Sequence, residues 1–207
     1  MRIATFISLC PGGGKRAYVE FIKLLSKNNE IDLYTLLDKE EFSLLEGYVK
    51  NIYTFKFETL FLRSPFGFLN IFLNFINLFR LNKLYRKIAD IINNKKCDVA
   101  FIHHSFYLYM HSPGISRYLK IPNVYYCQEP LRLFYEKMPC YKKISTKTFI
   151  FYIFLKPFYI LFDLCFKFYD RQNIKKYNLV LCNSFYSKEY IKRAYRIEAR
   201  VHYLGTD

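Results

Sequence analysis

The sequence predicts an α/β protein with a doubly wound parallel sheet, on the basis of three observations. Short apolar runs alternate with longer segments whose apolar residues recur at helical spacing, which is typical of βαβ units covered on both faces. A glycine-rich turn at residues 12–14 separates the first run from the first helical segment. Near the other end, Asn183 and Ser184 stand between an apolar run and a helical segment, where they can accept hydrogen bonds from free helix N–H groups. Such strand–turn–helix junctions place binding groups at the carboxyl edge of a parallel sheet.

The elements follow from the apolar pattern in chain order. Each strand is a short apolar run bounded by polar residues, and each helix carries apolar residues on one face. We predict strands at residues 2–9, 31–36, 49–55, 98–103, 123–127, 178–182 and 200–203. We predict helices at residues 15–27, 66–93, 149–169 and 186–197, and short helical pieces at residues 38–46 and 113–119.

Composition bounds the class of protein and its partners. A chain of 207 residues is long enough for one domain with a sizeable core, and 52% hydrophobic residues exclude a disordered chain. Lys and Arg number 32 against 17 Asp and Glu, a net charge of +15. This balance favours an anionic partner such as nucleic acid, an anionic membrane face or a phosphorylated ligand. Compositional drift from AT-rich coding is the competing explanation, because it raises lysine content by itself.

Residues 149–169 form an almost wholly apolar and aromatic segment, interrupted by Lys156, Pro157, Asp163 and Lys167. A membrane-spanning helix needs about 20 apolar residues, and charged residues make its insertion costly. Three interpretations stay open: a helix packed on the sheet, a helix that spans a membrane, and a helix that lies on a membrane surface. The surrounding residues 141–176 carry eight Lys/Arg and two Asp, a local balance of +6 that an anionic leaflet attracts.

A Pro-Gly-Gly-Gly-Lys-Arg run at residues 11–16 follows the first strand. Glycines let backbone N–H groups approach a ligand closely, and a helix N-terminus favours negative charge. The run is neither a Walker A motif nor a G-x-G-x-x-G fingerprint. The predicted substrate-binding residues of this run are Gly12, Gly13, Gly14, Lys15 and Arg16. A tight turn without a ligand is the alternative interpretation.

A second candidate segment, Tyr-Tyr-Cys-Gln-Glu-Pro-Leu-Arg at residues 125–132, ends the fifth strand. Gln128 can donate and accept hydrogen bonds but cannot take a proton at neutral pH. Glu129 can bind acceptor hydroxyl groups, and Arg132 can bind a phosphate. The alternative is a strand-end turn in which Glu129 and Arg132 are solvated.

Two adjacent histidines, His103 and His104, end the fourth strand. Neighbouring strand residues point to opposite faces of a sheet, so this pair is a poor metal site. We expect one ring to pack in the core or bond to backbone, and the other to face the cleft as a substrate-binding group. The six cysteines include no C-x-x-C pair, so zinc and redox motifs are absent from the sequence.

In order and spacing these segments resemble the N-terminal domain of GT-B glycosyltransferases of family 4. The resemblance rests on the strand–glycine-loop–helix start, DVAFIHH at 98–104, YYCQEPLR at 125–132, NLVLCNS at 178–184 and VHYLGTD at 201–207. It covers nearly the whole chain. It implies a Rossmann-like doubly wound sheet of six or seven strands, the N-terminal half of a GT-B fold.

The resemblance also implies a function. A domain of this kind is the acceptor side of a retaining enzyme that moves a sugar from a nucleotide sugar to a lipid-linked or envelope glycan acceptor. No metal or other cofactor is expected. Gln128 and Glu129 are the implied catalytic residues, and Gln128, which stands where many members carry a histidine, would orient the acceptor. Asn183 and Ser184 are implied substrate-binding residues. The donor-binding C-terminal domain is expected in cis or in trans, and the 207-residue chain alone is expected to transfer no sugar.

We expect a cytoplasmic protein, peripheral on the inner face of the cytoplasmic membrane, because no signal peptide pattern begins the sequence and the cysteines suit a reducing compartment. Nucleic acid is not an expected partner, since Lys and Arg are scattered and no zinc-finger, RRM or helix-turn-helix signature occurs. The alternative from another class is a non-catalytic, membrane-associated Rossmann-like binding module, or a subunit of a split transferase.

Overall fold

Seven parallel β-strands form one sheet within the residues that the computed structural model describes, which are 1–9, 12–63, 69–105, 112–136 and 146–203. The strands are β1 Arg2–Ser8, β2 Glu30–Thr35, β3 Asn51–Thr54, β4 Val99–Ser105, β5 Asn123–Tyr126, β6 Leu179–Cys182 and β7 Arg200–Val201. Each strand boundary lies within two residues of the predicted one. The predicted α/β class and parallel sheet are confirmed.

The strand order is β3-β2-β1-β4-β5-β6-β7, so the chain winds outward from β1 to β3 and then in the opposite direction from β4 to β7. β1 therefore lies between β2 and β4, with Phe6 aligned to Tyr34 on one side and to Ile102 on the other. A reversal of winding opens a crevice outside the carboxyl ends of the two strands that flank it. This is the doubly wound arrangement predicted from the sequence.

Five α-helices and two 3-10 helices connect the strands in the described part of the chain. They are α1 Gly13–Ser26, α2 Asn70–Asn94, α3 Arg132–Tyr135, α4 Thr146–Ile174 and α5 Phe185–Tyr195, with 3-10 helices at Lys39–Leu45 and Gly114–Arg117. Helix α4 extends three residues before and five residues after the predicted segment 149–169, and α3 was not predicted. At the start of α1, Gly13 and Gly14 form the first helical turn and are not loop residues as predicted. Glycine adopts helical and loop conformations with similar ease, so composition alone did not set this boundary.

Helices cover both faces of the sheet. One face packs against α2, α4 and α5 through buried residues that include Ile88, Phe166 and Ile191. The opposite face packs against α1 and the first 3-10 helix through residues that include Ile22 and Phe42. Apolar side chains are thereby removed from water on both sides of the strands, which is the main stabilising term for such a domain.

The long helix α4 buries side chains against the protein from Phe162 onward. Phe162 and Phe166 are buried, and their ring centroids lie 5.8 and 5.7 Å from that of Phe75 on α2. Residues 156–161 are exposed at every position. Packing on the body of the protein, one of the three predicted arrangements, therefore holds for the second half of the helix. Among the described residues, no helix combines the length and the apolar character needed to cross a membrane.

Candidate functional site at the carboxyl edge of the sheet

The predicted site residues lie at the carboxyl ends of four neighbouring strands. Residues 12–16 follow β1, residues 103–104 lie near the end of β4, residues 128–132 follow β5 and residues 183–184 follow β6. Because β1, β4, β5 and β6 are parallel and adjacent, these segments share one edge of the sheet. The junction of β1 and β4 is the point where the winding reverses, which is where open α/β sheets bind ligands.

The glycine turn and the Gln-Glu-Pro segment meet at Gly14. A Cβ atom placed on Gly14 would lie 2.8 Å from Gln128 Oε1 and 3.2 Å from Leu9 Cδ1. Carbon and oxygen atoms do not pack at 2.8 Å without repulsion, so a residue without a side chain is what lets Gln128 rest against α1. The corresponding positions on Gly12 and Gly13 are open. Gly14 is therefore the glycine of the three whose substitution displaces a neighbour.

The N-terminus of α1 faces this edge with its first turn open. The turn contains no acidic residue, and no side chain of the described chain caps its N–H groups. The first intrahelical bond is donated by Arg16 N–H to Gly12 O at 3.1 Å. The N–H groups before it carry the partial positive charge of a helix N-terminus, which favours an anion. Residues 10 and 11, where the predicted turn begins, lie outside the described residues.

The two basic residues after the glycines have different surroundings. Lys15 Nζ lies 2.5 Å from Glu41 Oε2 and 4.8 Å from the ring centroid of Phe42, and only 12% of the Lys15 side chain is exposed. This pair attaches α1 to the first 3-10 helix. Arg16 is exposed on the first turn of α1 and forms no ion pair with the described residues. Lys15 thus has a structural contact, and Arg16 is the more accessible of the two predicted binding residues.

Glu129 and Arg132 form an exposed ion pair beside Gln128. Arg132 Nε and Nη2 donate to Glu129 Oε2 at 3.2 and 2.9 Å, and about half of each side chain is exposed. The hydrogen bond to Glu129 raises the pKa of the Arg132 guanidinium. Exposed pairs of this spacing contribute a few tenths of a kcal/mol at most, so the pair does not explain the conformation of the segment. The binding roles of Glu129 and Arg132 stay predictions.

The two histidines at the end of β4 are both buried. His103 is fully buried, with its ring centroid 5.5 Å from that of Tyr18 and 5.4 Å from that of Tyr126. Burial lowers the pKa of His103 to about 4, so its ring is neutral at physiological pH. His104 is 8% exposed. His103 is therefore the core-packed histidine that we expected for one of the pair. A ligand-binding role for either histidine stays a prediction.

Asn183 and Ser184 build the start of α5. Ser184 Oγ accepts a hydrogen bond from the Ser187 N–H at 3.1 Å, which confirms the predicted helix cap. Asn183 Oδ1 accepts from Ser187 Oγ at 2.7 Å and from Ser184 Oγ at 3.2 Å. The side chains of both residues are thus engaged in the cap, and their contact with substrate stays a prediction. Residues 204–207, which contain the Gly-x-Asp run, lie outside the described residues.

A buried carboxylate that the sequence analysis did not single out positions the segment after β5. Asp170 on α4 is fully buried and accepts hydrogen bonds from the N–H and hydroxyl groups of Ser112. It also accepts from Tyr135 OH at 3.1 Å and from Tyr195 OH at 2.8 Å. Tyr135 belongs to α3, which directly follows the Gln-Glu-Pro segment. The sequence gives no local signal for this role, because Asp170 stands beside the basic residues Lys167 and Arg171.

This edge of the sheet can bind and orient a phosphorylated ligand. The open turn of α1 and the exposed guanidinium of Arg16 favour negative charge, and fixed N–H dipoles of this kind stabilise charge that develops during a reaction. Gln128 can donate to or accept from a hydroxyl group without transferring a proton. Within the described residues, no three His, Cys, Asp or Glu side chains are grouped so that they could hold a metal ion.

Solved structures cover this chain from end to end. Anabaena HepE in complex with UDP-glucose matches with a TM-score of 0.53 and 15% identity, over 100% of this chain and 44% of HepE. MurG from Acinetobacter baumannii matches with a TM-score of 0.50 and 13% identity, over 100% of this chain and 47% of MurG. The UDP-GlcNAc 2-epimerase from Methanocaldococcus jannaschii matches with a TM-score of 0.50 and 14% identity, over 100% of this chain and 46% of the epimerase. No protein-family model and no curated protein sequence matches the chain.

These similarities show the fold. The chain spans less than half the length of each of these solved structures. Its seven-stranded parallel sheet with helices on both faces is the Rossmann-like fold predicted for the N-terminal half of a GT-B protein. One neighbour binds UDP-glucose and another is an epimerase for UDP-GlcNAc, so the shared fold by itself does not assign a reaction.

Proposed function

We propose that this chain is the acceptor-side domain of a retaining glycosyltransferase of the GT-B, family 4 type. The enzyme moves a sugar from a nucleotide sugar to a lipid-linked or envelope glycan acceptor, and it uses no metal or other cofactor. A second domain, in the same chain or in a partner, holds the donor. The UDP-glucose bound by HepE, whose structure has the same fold, supports the nucleotide-sugar class of donor.

The contact between Gly14 and Gln128 is the observation that carries this proposal. It joins the two segments of the resemblance at the point where the sheet reverses its winding, with the open helix N-terminus of α1 beside it. In the reaction, Gln128 orients the acceptor hydroxyl group by hydrogen bonds, and Glu129 binds a neighbouring hydroxyl. The helix N-terminus stabilises the negative charge that develops on the leaving diphosphate.

The described residues supply one wall of such a site, and a second wall is needed for the donor. A nucleotide diphosphate carries several negative charges that need cationic partners. Lys15 and Arg132 are already paired with carboxylates, so Arg16 is the accessible cation among the predicted binding residues. We therefore propose that the 207-residue chain transfers no sugar by itself. Turnover by the isolated chain would contradict this part of the proposal.

The test is transfer of labelled sugar by the natural gene product, offered a panel of nucleotide sugars and a membrane lipid extract from its own cells. Gly14→Ala is the informative variant, because the added Cβ displaces Gln128. Gln128 Oε1 is the flexible end of its side chain, so we expect normal folding and about tenfold lower transfer. Glu20→Ala, at an exposed position of the same helix beyond its first turn, is the control. Equal activity of the two variants, or no transfer from any donor, would contradict the proposal.

We also propose that the protein lies on the anionic inner face of the cytoplasmic membrane through an aromatic face made by α2 and α4. On α4 the exposed residues include Leu161 and Leu164, and on α2 they include Phe72 and Phe79. The two helices meet through Phe72 and Phe158, whose ring centroids are 5.6 Å apart. Exposed apolar residues grouped in this way mark an interaction surface more often than an ordinary monomer surface.

The charges beside this aromatic face favour an anionic membrane as its partner. Lys83 Nζ lies 4.8 Å from the ring centroid of Phe79, and Lys156 is exposed in the same part of α4. Basic residues near an anionic bilayer contribute about 1 kcal/mol each, and aromatic side chains favour the interfacial region. A chain with a net charge of +15 is attracted to such a surface as a whole.

Flotation with vesicles of phosphatidylglycerol and phosphatidylcholine tests this surface. We expect Leu161→Glu to lower the bound fraction severalfold, because it places a charge in the apolar contact. Leu24→Glu on α1 makes the same change at a similarly exposed leucine, 60% against 55%, on the other face of the sheet. Equal losses for both variants would show that net charge alone governs binding, and would contradict the proposed face.

The exposed aromatic face also favours the second candidate, a non-catalytic membrane-associated binding module or a subunit of a split transferase. That candidate needs the aromatic face alone, whereas the transferase also needs Gly14 and Gln128. Membrane binding that persists while no sugar is transferred by the natural gene product with any partner would favour the binding module.

A further inference from the structure

A pocket of about 400 Å³ lies between α3, the second half of α4, and α5. It is separate from the contact of Gly14 with Gln128. Its wall contains the tyrosines Tyr135, Tyr186 and Tyr190 and the cations Lys167, Arg171 and Arg193. Glu136 is the acidic residue that lines it.

The three cations of the pocket outnumber the acids, and none of them forms an ion pair within the described residues. Lys167 and Arg193 make no hydrogen bond there. Arg171 donates through Nε to Ala194 O at 2.8 Å, and its guanidinium lies 5.5 Å from the ring centroid of Tyr135. The side-chain N–H groups of Lys167 and Arg193 are available to an anion, and Arg171 contributes its positive charge beside them. A compact group of cations around a cavity raises the local concentration of anionic ligands.

On the tyrosine side of the pocket, Tyr135 is held in place by a hydrogen bond to a buried carboxylate. Tyr135 OH donates to Asp170 Oδ2 at 3.1 Å, and its ring centroid lies 5.1 Å from that of Tyr195 in an edge contact. Tyr190 is 8% exposed, and burial raises its pKa to about 12, so its hydroxyl group stays protonated at neutral pH. Tyr186, which is 67% exposed, lies at the solvent opening of the pocket. The wall is thus preorganised and amphipathic.

The pocket adjoins the predicted site through α3. Glu136 N–H donates to Arg132 O at 2.8 Å, so a single helical turn connects the pocket to the ion pair of Arg132 with Glu129. One turn of helix rises about 5.4 Å. A ligand in the pocket therefore lies about one helical turn from Arg132 and its ion pair.

We propose that this pocket binds the phosphate of an amphipathic phosphate ester. Lys167, Arg171 and Arg193 bind the phosphate oxygens, and the tyrosines contact the apolar part of the ester next to the phosphate. Arginine and lysine recognise phosphate through charge-assisted hydrogen bonds, and tyrosine supplies apolar area together with a polar end. Identifying this ester as the sugar acceptor rests on the proposed function, whereas the pocket as a phosphate site does not.

Calorimetric titration of the protein with phenyl phosphate tests the pocket, with inorganic phosphate and phenol as the other two probes. We expect saturable binding of phenyl phosphate, weaker binding of inorganic phosphate, and no binding of phenol. Lys167→Gln and Arg193→Gln should each weaken phenyl phosphate binding about tenfold, because each removes a charge-assisted hydrogen bond. Tyr186→Ala should weaken phenyl phosphate binding and leave inorganic phosphate binding unchanged.

Arg86→Gln is the matched control, since Arg86 is an exposed helical arginine outside the pocket. We expect it to bind phenyl phosphate as the unmodified protein does. The proposal is overturned if phenyl phosphate shows no saturable binding, if the pocket variants bind normally, or if Arg86→Gln loses as much affinity as they do. Equal affinity for phenyl phosphate and inorganic phosphate overturns the assignment to an amphipathic ester. Binding that passes these tests while no nucleotide sugar supports transfer would contradict only the proposed function.

Discussion

Replacing Asp170 with asparagine should destabilise the protein by about 3 kcal/mol. The carboxylate is fully buried, and the hydrogen bonds that it accepts include two from Ser112 and one each from Tyr135 and Tyr195. An amide of the same shape has one oxygen, so two of these four donors face an NH2 group instead. Hydrogen bonds to a charged group contribute about 1.5–3 kcal/mol each. Reoriented hydroxyl groups recover part of the loss of two such bonds, which leaves about 3 kcal/mol.

Urea denaturation followed by far-UV circular dichroism at pH 7 measures this change. With a slope near 2 kcal/mol per M, typical of small proteins, the midpoint should fall by about 1.5 M. Asp163→Asn on the same helix is the matched control, because the half-buried Asp163 makes no hydrogen bond or ion pair with the described residues. We expect that variant to stay within about 0.5 kcal/mol of the unmodified protein. A loss below about 1 kcal/mol for Asp170→Asn, or equal losses for both variants, would refute the reasoning.

Further predictions concern pH, the core and one helix cap. The pKa of His103 is about 4 in the folded protein and 6.5 in the unfolded chain, so between pH 4 and 6.5 the unfolded chain binds more protons. The free energy of unfolding should therefore fall by about 3 kcal/mol as the pH drops from 6.5 to 4. When the unfolding free energy is measured by denaturation at several pH values in this range, His103→Gln should lack this contribution to the pH dependence. Phe166→Ala should cost about 3–5 kcal/mol by denaturant titration, because Phe166 is fully buried, whereas Phe168→Ala, at a 65% exposed residue, should cost less than about 0.5 kcal/mol. Ser184→Ala should cost about 1 kcal/mol, since it removes the acceptor of the Ser187 N–H, and Ser184→Gly should cost only a few tenths; equal costs would argue against the cap.

Features set by neighbouring residues in the sequence were predictable. Ser184 was identified as a helix cap because a hydroxyl group three residues before a free N–H group defines that bond locally. The strands were identified because apolar runs of four to eight residues between polar ones are typical of buried parallel strands. The start of α1 was misplaced by two residues, because Gly13 and Gly14 fit a helix and a turn with similar ease.

Features set by the fold were not predictable from single segments. Lys15 was assigned to ligand binding, and nothing near it in the sequence indicated that Glu41, 26 residues away, would pair with it. The contact of Gly14 with Gln128 depends on the strand order, which places β5 beside β4 and β4 beside β1. Asp170 stood among basic residues in the sequence, so its burial and its three hydroxyl partners became visible only when α3, α4 and α5 were assembled.

The most direct test of the proposed acceptor-side function compares the two glutamines of the chain in a sugar-transfer assay of the natural gene product. Gln128 and Gln172 are both half-buried, and only Gln128 lies at the carboxyl edge of the sheet beside Gly14. We predict that Gln128→Ala lowers kcat/KM for the acceptor about tenfold or more, and that Gln172→Ala changes it less than twofold. Equal kcat/KM values for the two variants would contradict the role of this edge as the acceptor site.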